Sequence, residues 1–131
     1  MPEKLAVFLH AGDYDRVHQG LSIAATAAAA GRPVEVYFFW WALERLAGDR
    51  LDEPDFESDA LRERFEARGA PTLRQLLSHL RESGKARLYA CSGSLALVDG
   101  TVPAAAGRVD QIVGWSTILA LTAGVTDRFY L

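Results

Sequence analysis

The stretch RLYACSGSLALVDG, residues 87–100, holds the only cysteine of the chain. An apolar run ends at Cys91, and Ser92, Gly93 and Ser94 follow, which is typical of a strand that leads into the start of a helix. Free N–H groups and the positive end of a helix dipole stabilise a thiolate at such a position. Cys91 is therefore a candidate nucleophile. The alternative is an inert buried thiol, because free cysteine is among the most buried residue types.

A second group of candidates follows the first apolar run, in the segment HAGDYD at residues 10–15. His10 could tune the Cys91 thiol or carry a proton, or it is a hydrogen-bonded loop histidine. Gly12 and Asp13 come next, but no GxGxxG or GxxxxGK motif accompanies them, so a nucleotide fingerprint is absent. A hydrolase or lyase that uses His10 and Asp13 is a further hypothesis, but no nucleophile–base spacing in the sequence supports it. The three histidines lack metal-ligand spacing, and we expect neither a metal nor a cofactor.

The aromatic segment PVEVYFFWW, residues 33–41, predicts a strand that is buried on both faces and ends at Trp40 and Trp41. Such aromatics usually belong to a core or a subunit interface. Ligands of open parallel sheets bind beyond the carboxyl ends of the strands, however. That rule selects a set of candidate binding residues around Cys91: His10, Gly12, Asp13, Trp40, Ser92, Gly93 and Ser94.

The elements that would position these residues alternate along the chain. We expect strands over 4–10, 33–41, 86–91 and 126–131, with the segment 102–107 left open as a further short strand. Helices are predicted over 16–30, 42–48, 59–69, 71–84 and 108–124, with a helical turn in 92–100. Residues Thr72 and Gln75 form a capping-box pattern, and in the last helix Leu119 and Ala120 are expected to face inward. Alternation of this kind predicts an α/β fold, a three-layer α/β/α arrangement of Rossmann or flavodoxin-like layering around a mostly parallel sheet of four to five strands.

Length and charge narrow the possible functions. The chain has 131 residues, 50% of them hydrophobic, and a formal net charge of −3, which is typical of one globular domain over 1–131 and not of a nucleic-acid surface. A lone cysteine excludes an intramolecular disulfide. The first apolar run is too short for a signal peptide and no stretch is long enough for a membrane helix, so we expect a cytoplasmic protein. An acidic insert is expected around 48–70, and its loop 49–59 is predicted to be a solvated face, or else a docking surface for a basic partner.

With these residues in place, the chain resembles the DsrE/DsrF-like family of small sulfur-relay proteins. The segment from KLAVFLHAGDYD to PVEVYFFW is similar to the family's first strand, loop, helix and aromatic second strand. LYAC is similar to the strand that delivers a sulfur-accepting cysteine, and GRVDQIVGWSTILALTAGVTDRFYL to the closing helix and strand. The resemblance implies a homo-oligomer, whether dimer, trimer or hexamer, and a persulfide on Cys91. The segment after Cys91 departs from the family pattern, because it lacks a longer helix with an arginine near its end.

Two functions follow as hypotheses. In the first, the protein is an intracellular sulfur carrier or sulfurtransferase, whose Cys91 thiolate takes sulfane sulfur from one protein and passes it to a partner with a reactive cysteine. In the second, it is a non-catalytic oligomeric module that binds a small ligand or a partner at the strand ends, and Cys91 is structural. Neither hypothesis involves nucleic acid or a membrane.

Overall fold

A computed structural model describes residues 3–98 and 105–131. It contains five strands that form one sheet: β1 Leu5–Leu9, β2 Val34–Phe38, β3 Ala86–Cys91, β4 Gln111–Val113 and β5 Asp127–Tyr130. The helices in these ranges are α1 Tyr14–Ala29, α2 Trp40–Ala47, α3 Asp59–Ala67, α4 Leu73–Ser83, α5 Ser92–Leu95 and α6 Trp115–Leu121. The α/β prediction is confirmed, and all the strand pairs are parallel in the order β4-β3-β2-β1-β5.

The strand order determines which face each helix covers. From β1 to β4 the chain moves across the sheet in one direction, and right-handed crossovers keep the intervening helices on one face. The return from β4 to β5 runs the opposite way, and α6 therefore lies on the other face. The layers are α/β/α, but the two helical layers contain different numbers of helices. In the part of the chain that the structure describes, α6 is the only helix over its face.

The larger core lies under α1 and α4, where Leu21, Ala24, Leu73 and Leu80 are fully buried against the sheet. Ala27 and Ala28 of α1 are also buried in this core. Helix α4 begins at the predicted capping box, because Thr72 accepts from the Gln75 backbone N–H while the Gln75 side chain accepts from the Thr72 N–H. It ends at Gly84, whose φ of 67° is the left-handed conformation that glycine adopts without steric cost.

Two predicted elements were wrong. The strand expected over 33–41 ends at Phe38, and the tryptophans begin α2 instead. The helix expected over 108–124 divides into β4 and α6 at Gly114, and Leu119 and Ala120 face outward. Both segments stay apolar across the change of element, because strand and helix alike contact the core, so periodicity alone does not reveal the boundary.

The structure describes only part of the segment 102–107. Residues 99–104, including the expected stop at 99–100, lie outside the described residues. Ala105 and Ala106 are helical, so that part of 102–107 is not a strand. No helix among the described residues has the length and hydropathy to cross a membrane.

Candidate functional site

A cavity of about 380 Å³ opens at the carboxyl edge of the sheet. It lies beyond the ends of β1 and β2 and between the start of α1 and the start of α6. Aromatic rings form much of its lining, and His10, Arg16 and Ser94 add polar side chains. The complete lining consists of Phe8, His10, Ala11, Arg16, Phe39, Trp40, Ser94, Trp115, Tyr130 and Leu131. Of the predicted site residues, the structure brings together His10, Trp40 and Ser94 here.

The floor of the cavity is one end of a row of aromatic rings on the α6 face. Parallel pairing aligns Tyr130, Phe8, Tyr37 and Tyr89 on four neighbouring strands. Their centroids follow one another at 4.5, 5.2 and 4.8 Å, with interplanar angles of 9–12°. Offset stacking of this kind stabilises by about 0.5–1.5 kcal/mol per pair beyond area burial. Phe8, Tyr37 and Tyr89 are buried, whereas Tyr130 is 65% exposed and extends the row into the opening.

One wall is formed by the Trp115 ring, which stacks on Phe39 at 5.0 Å and 18°. Trp115 begins α6 after the N-cap residue Gly114. This ring is half exposed, so one of its faces is open to a ligand. This role could not be predicted from the sequence, because a single helix over 108–124 places Trp115 in its middle and not at the edge of the sheet.

The opposite wall contains a strained residue. Trp40 has φ of +43°, a left-handed conformation that costs a bulky side chain about 1–3 kcal/mol. Backbone bonds hold it there: the Phe39 N–H donates to the Leu9 carbonyl at 2.8 Å, and the Ala42 N–H donates to the His10 carbonyl at 3.3 Å. The chain therefore turns sharply from β2 into α2 at the cavity, and strain of this kind is often found at functional sites.

Gly12 contributes packing and not a lining surface. A Cβ at this position would lie 2.8 Å from the Trp41 Cβ, so the two backbones approach as closely as they do only because residue 12 is glycine. The Gly12 carbonyl accepts from Arg45 Nε at 2.8 Å.

Asp13 lies outside the cavity, at the start of α1. Its side chain makes no capping bond. Instead Asp55, from the acidic segment, accepts from the Tyr14 N–H at 3.1 Å and pairs with Arg45 at 3.2 Å. Asp13 and Asp15 line a separate groove together with Asp55 and Glu57.

Cys91 ends β3 as predicted and is the N-cap residue of α5, but its thiol is covered. It is 3% exposed and belongs to the apolar cluster beneath α6, with Val113 and Ile118. A Cβ on Gly93 would lie 3.9 Å from Cys91 Sγ. Ser92 and Gly93 are exposed and do not line the cavity.

The polar groups of the cavity are mostly on α1 and α5. Ser94 is buried, whereas His10 and Arg16 are exposed. Among the residues that the structure describes, no carboxylate lies within 4 Å of the Arg16 guanidinium. Sequence reasoning missed Arg16, Trp115 and Tyr130, although Tyr130 ends the last strand at the same edge and the carboxyl-end rule applies to it.

A buried carboxylate lies deeper under α6. Glu35 accepts from the Tyr37 hydroxyl at 2.9 Å and pairs with Lys4 at 3.3 Å. Burial, then the hydrogen bond to Glu35, raises the pKa of Tyr37; burial, then the Glu35 charge, raises the pKa of Tyr89. Lys4 also donates to the Leu121 carbonyl at 2.8 Å, so it connects this cluster to the end of α6. The signal in the sequence is a single acidic residue within an apolar strand.

The acidic segment 49–59 is mostly exposed, as predicted, and it is also held in place by bonds within the chain. Arg45 donates to the carbonyls of Arg50 and Glu53, both at 2.8 Å, and so holds the segment from inside. Asp49 accepts from Arg74 and Arg108, and those hydrogen bonds lower the pKa of its carboxyl group. The carboxylates of the acidic segment are exposed, but several of them form ion pairs with arginines of the same chain.

Two other histidines lie away from the cavity. His18 bonds through Nε2 to the Pro71 carbonyl at 2.9 Å and stacks on Tyr14, and it is partly buried. His79 is exposed on α4. Within 3–98 and 105–131, no three metal-ligating side chains cluster.

No protein-family model matches the chain, and no curated protein matches it. The resemblance to the DsrE/DsrF-like family therefore stays a prediction.

Proposed function

We propose that this protein binds a small planar molecule in the carboxyl-edge cavity, and that Cys91 has a packing role. The observation that carries the proposal is the cavity itself, with aromatic rings on its floor and walls and a few polar groups beside them. Small-molecule sites have volumes of about 300–1,000 Å³ and this mixture of linings. The strained Trp40 at its wall supports the same conclusion.

The test uses a neutral aromatic probe, 2-naphthamide, because its ring matches the stacked walls and it carries no charge. Binding is followed by the indole N–H signals in ¹H–¹⁵N NMR and by calorimetry. Trp115→Ala removes a wall and should weaken binding about tenfold. Trp41→Ala is the matched control, because Trp41 is as exposed as Trp115 (54% against 51%) but does not line the cavity. Equal losses in both variants, or no binding to the unaltered protein, would overturn the proposal.

A second candidate is sulfur transfer at Cys91, as the family resemblance implies. The observation in its favour is that Cys91 ends β3 at the carboxyl edge of the sheet and is the N-cap residue of α5. In the step, the Cys91 thiolate attacks the outer sulfur of a donor persulfide. A new S–S bond forms, the donor S–S bond breaks, and the donor cysteine leaves as a thiolate. Helix α6 must move first, because it covers the thiol.

Incubation with a low-molecular-weight persulfide followed by intact-protein mass spectrometry tests this candidate. A gain of about 32 Da, the mass of one sulfur atom, that Cys91→Ser abolishes would support it. An unchanged mass would overturn it and leave the binding proposal standing.

A further inference from the structure

The charges around the cavity are unevenly distributed. Its lining includes one guanidinium, that of Arg16, and no side-chain carboxylate. The nearest acidic side chains in sequence, Asp13 and Asp15, line the neighbouring groove instead. One Asp15 oxygen accepts from the Arg16 backbone N–H at 2.9 Å. In the described residues, no carboxylate lies within 4 Å of the Arg16 guanidinium.

The Leu131 carbonyl oxygen, also at this edge, accepts from the backbone N–H groups of His10 at 2.7 Å and Ala11 at 3.3 Å. Asp55, from the acidic segment, binds Arg45 and the start of α1. A cation at an aromatic wall is thus the unmatched charge of the cavity.

We propose that the ligand is an aromatic acid whose carboxylate binds the Arg16 guanidinium while its ring contacts Trp115 and Tyr130. This inference rests on the proposed binding function and adds the charge of the ligand. A guanidinium presents paired N–H donors in the geometry that a carboxylate accepts. Aromatic walls on one side of the ion pair exclude water and strengthen it.

Matched probes test the charge separately from the ring. 2-Naphthoate and 2-naphthamide share the ring system and differ in the charge of one group. Calorimetry at low salt should give a dissociation constant for the acid about five- to tenfold below that of the amide. In 1 M NaCl, where the Debye length is about 3 Å, the difference should fall below about twofold. The net charge of the protein is −3, so overall attraction cannot produce a preference for the acid.

Three variants test whether the preference for the acid depends on Arg16. Arg16→Gln should remove the preference for the acid, so that the dissociation constants of the two probes agree within about twofold. Arg62→Gln makes the same change in net charge on α3, which contributes nothing to the cavity lining, and should leave both constants unchanged. Arg16→Lys keeps the charge without the planar fork and should restore part of the preference.

The outcomes separate this inference from the binding proposal. Equal affinity of both probes for the unaltered protein overturns the charge assignment, while the cavity remains a binding site. Loss of the preference in Arg62→Gln as well as in Arg16→Gln overturns the role of Arg16. Failure of both probes to bind overturns the binding proposal and this inference with it.

Discussion

Replacement of Ile118 by alanine tests whether α6 is the element that keeps Cys91 covered. Ile118 is fully buried, and it is the buried side chain that α6 contributes to its face of the sheet. A seven-residue helix has no stability of its own in water, so its position depends on tertiary contacts. The other contacts of α6 include the Trp115 stack and the bond from Lys4 to Leu121.

The expected magnitude follows from what is removed. Three carbons at about 0.8 kcal/mol each account for about 2.4 kcal/mol. The residual cavity adds to this, since buried isoleucine-to-alanine changes cost about 2–5 kcal/mol. We therefore expect Ile118→Ala to weaken the docking of α6 by about 3 kcal/mol. Because about 1.4 kcal/mol is a factor of ten, the opening that exposes Cys91 should become about a hundredfold more populated.

The assay is the rate at which Cys91 reacts with an aromatic disulfide reagent under native conditions, together with urea unfolding. Leu119→Ala is the matched control on the same helix, because Leu119 is 61% exposed and should change stability by less than about 0.5 kcal/mol. Equal reaction rates in the two variants would refute the reasoning, since they would show that α6 does not control access to the thiol.

Three further predictions concern the fold. Thr72→Ala removes one half of the capping box of α4 and should lower the free energy of unfolding by about 1 kcal/mol. Tyr37 has a raised pKa in the folded state, so its contribution to stability is complete below pH of about 10 and is lost as the pH rises further; in Tyr37→Phe, stability should fall less steeply above that pH. Arg45→Gln removes the bonds that hold residues 49–55, and limited proteolysis of that segment should become at least about tenfold faster.

Each has a control of similar chemistry. Thr26→Ala, at an exposed position inside α1, should leave stability unchanged or slightly higher, and an equal loss there would contradict the capping argument. Tyr130→Phe changes an exposed hydroxyl, and a pH profile like that of Tyr37→Phe would contradict the role of burial. Arg62→Gln should leave proteolysis unchanged, and faster cleavage there would attribute the effect to net charge.

Several elements could be predicted because their signals are local. The capping box and Gly84 delimit α4, and the apolar run of 86–91 matches β3 residue for residue. The apolar segments that failed, 33–41 and 108–124, each contain a strand followed by a helix. Periodicity does not separate the two, because apolar residues continue from each strand into the helix that follows it.

The candidate site was predictable to a similar extent. The carboxyl-end rule selected His10, Trp40 and Ser94, and these three residues line one cavity. Arg16 and Trp115 could not be found in this way, because the first depends on the angle at which α1 leaves β1 and the second on the reversal of the chain after β4.

The sequence by itself determined the alternation of strands and helices and which residues stand at the strand ends, since these depend on periodicity, caps and turn residues. Only the tertiary structure decided which way the strand-end side chains point. Successive side chains of a strand face opposite sides, and which side receives a helix depends on where β5 joins the sheet. That pairing put Cys91 beneath α6 and opened the aromatic cavity beside it.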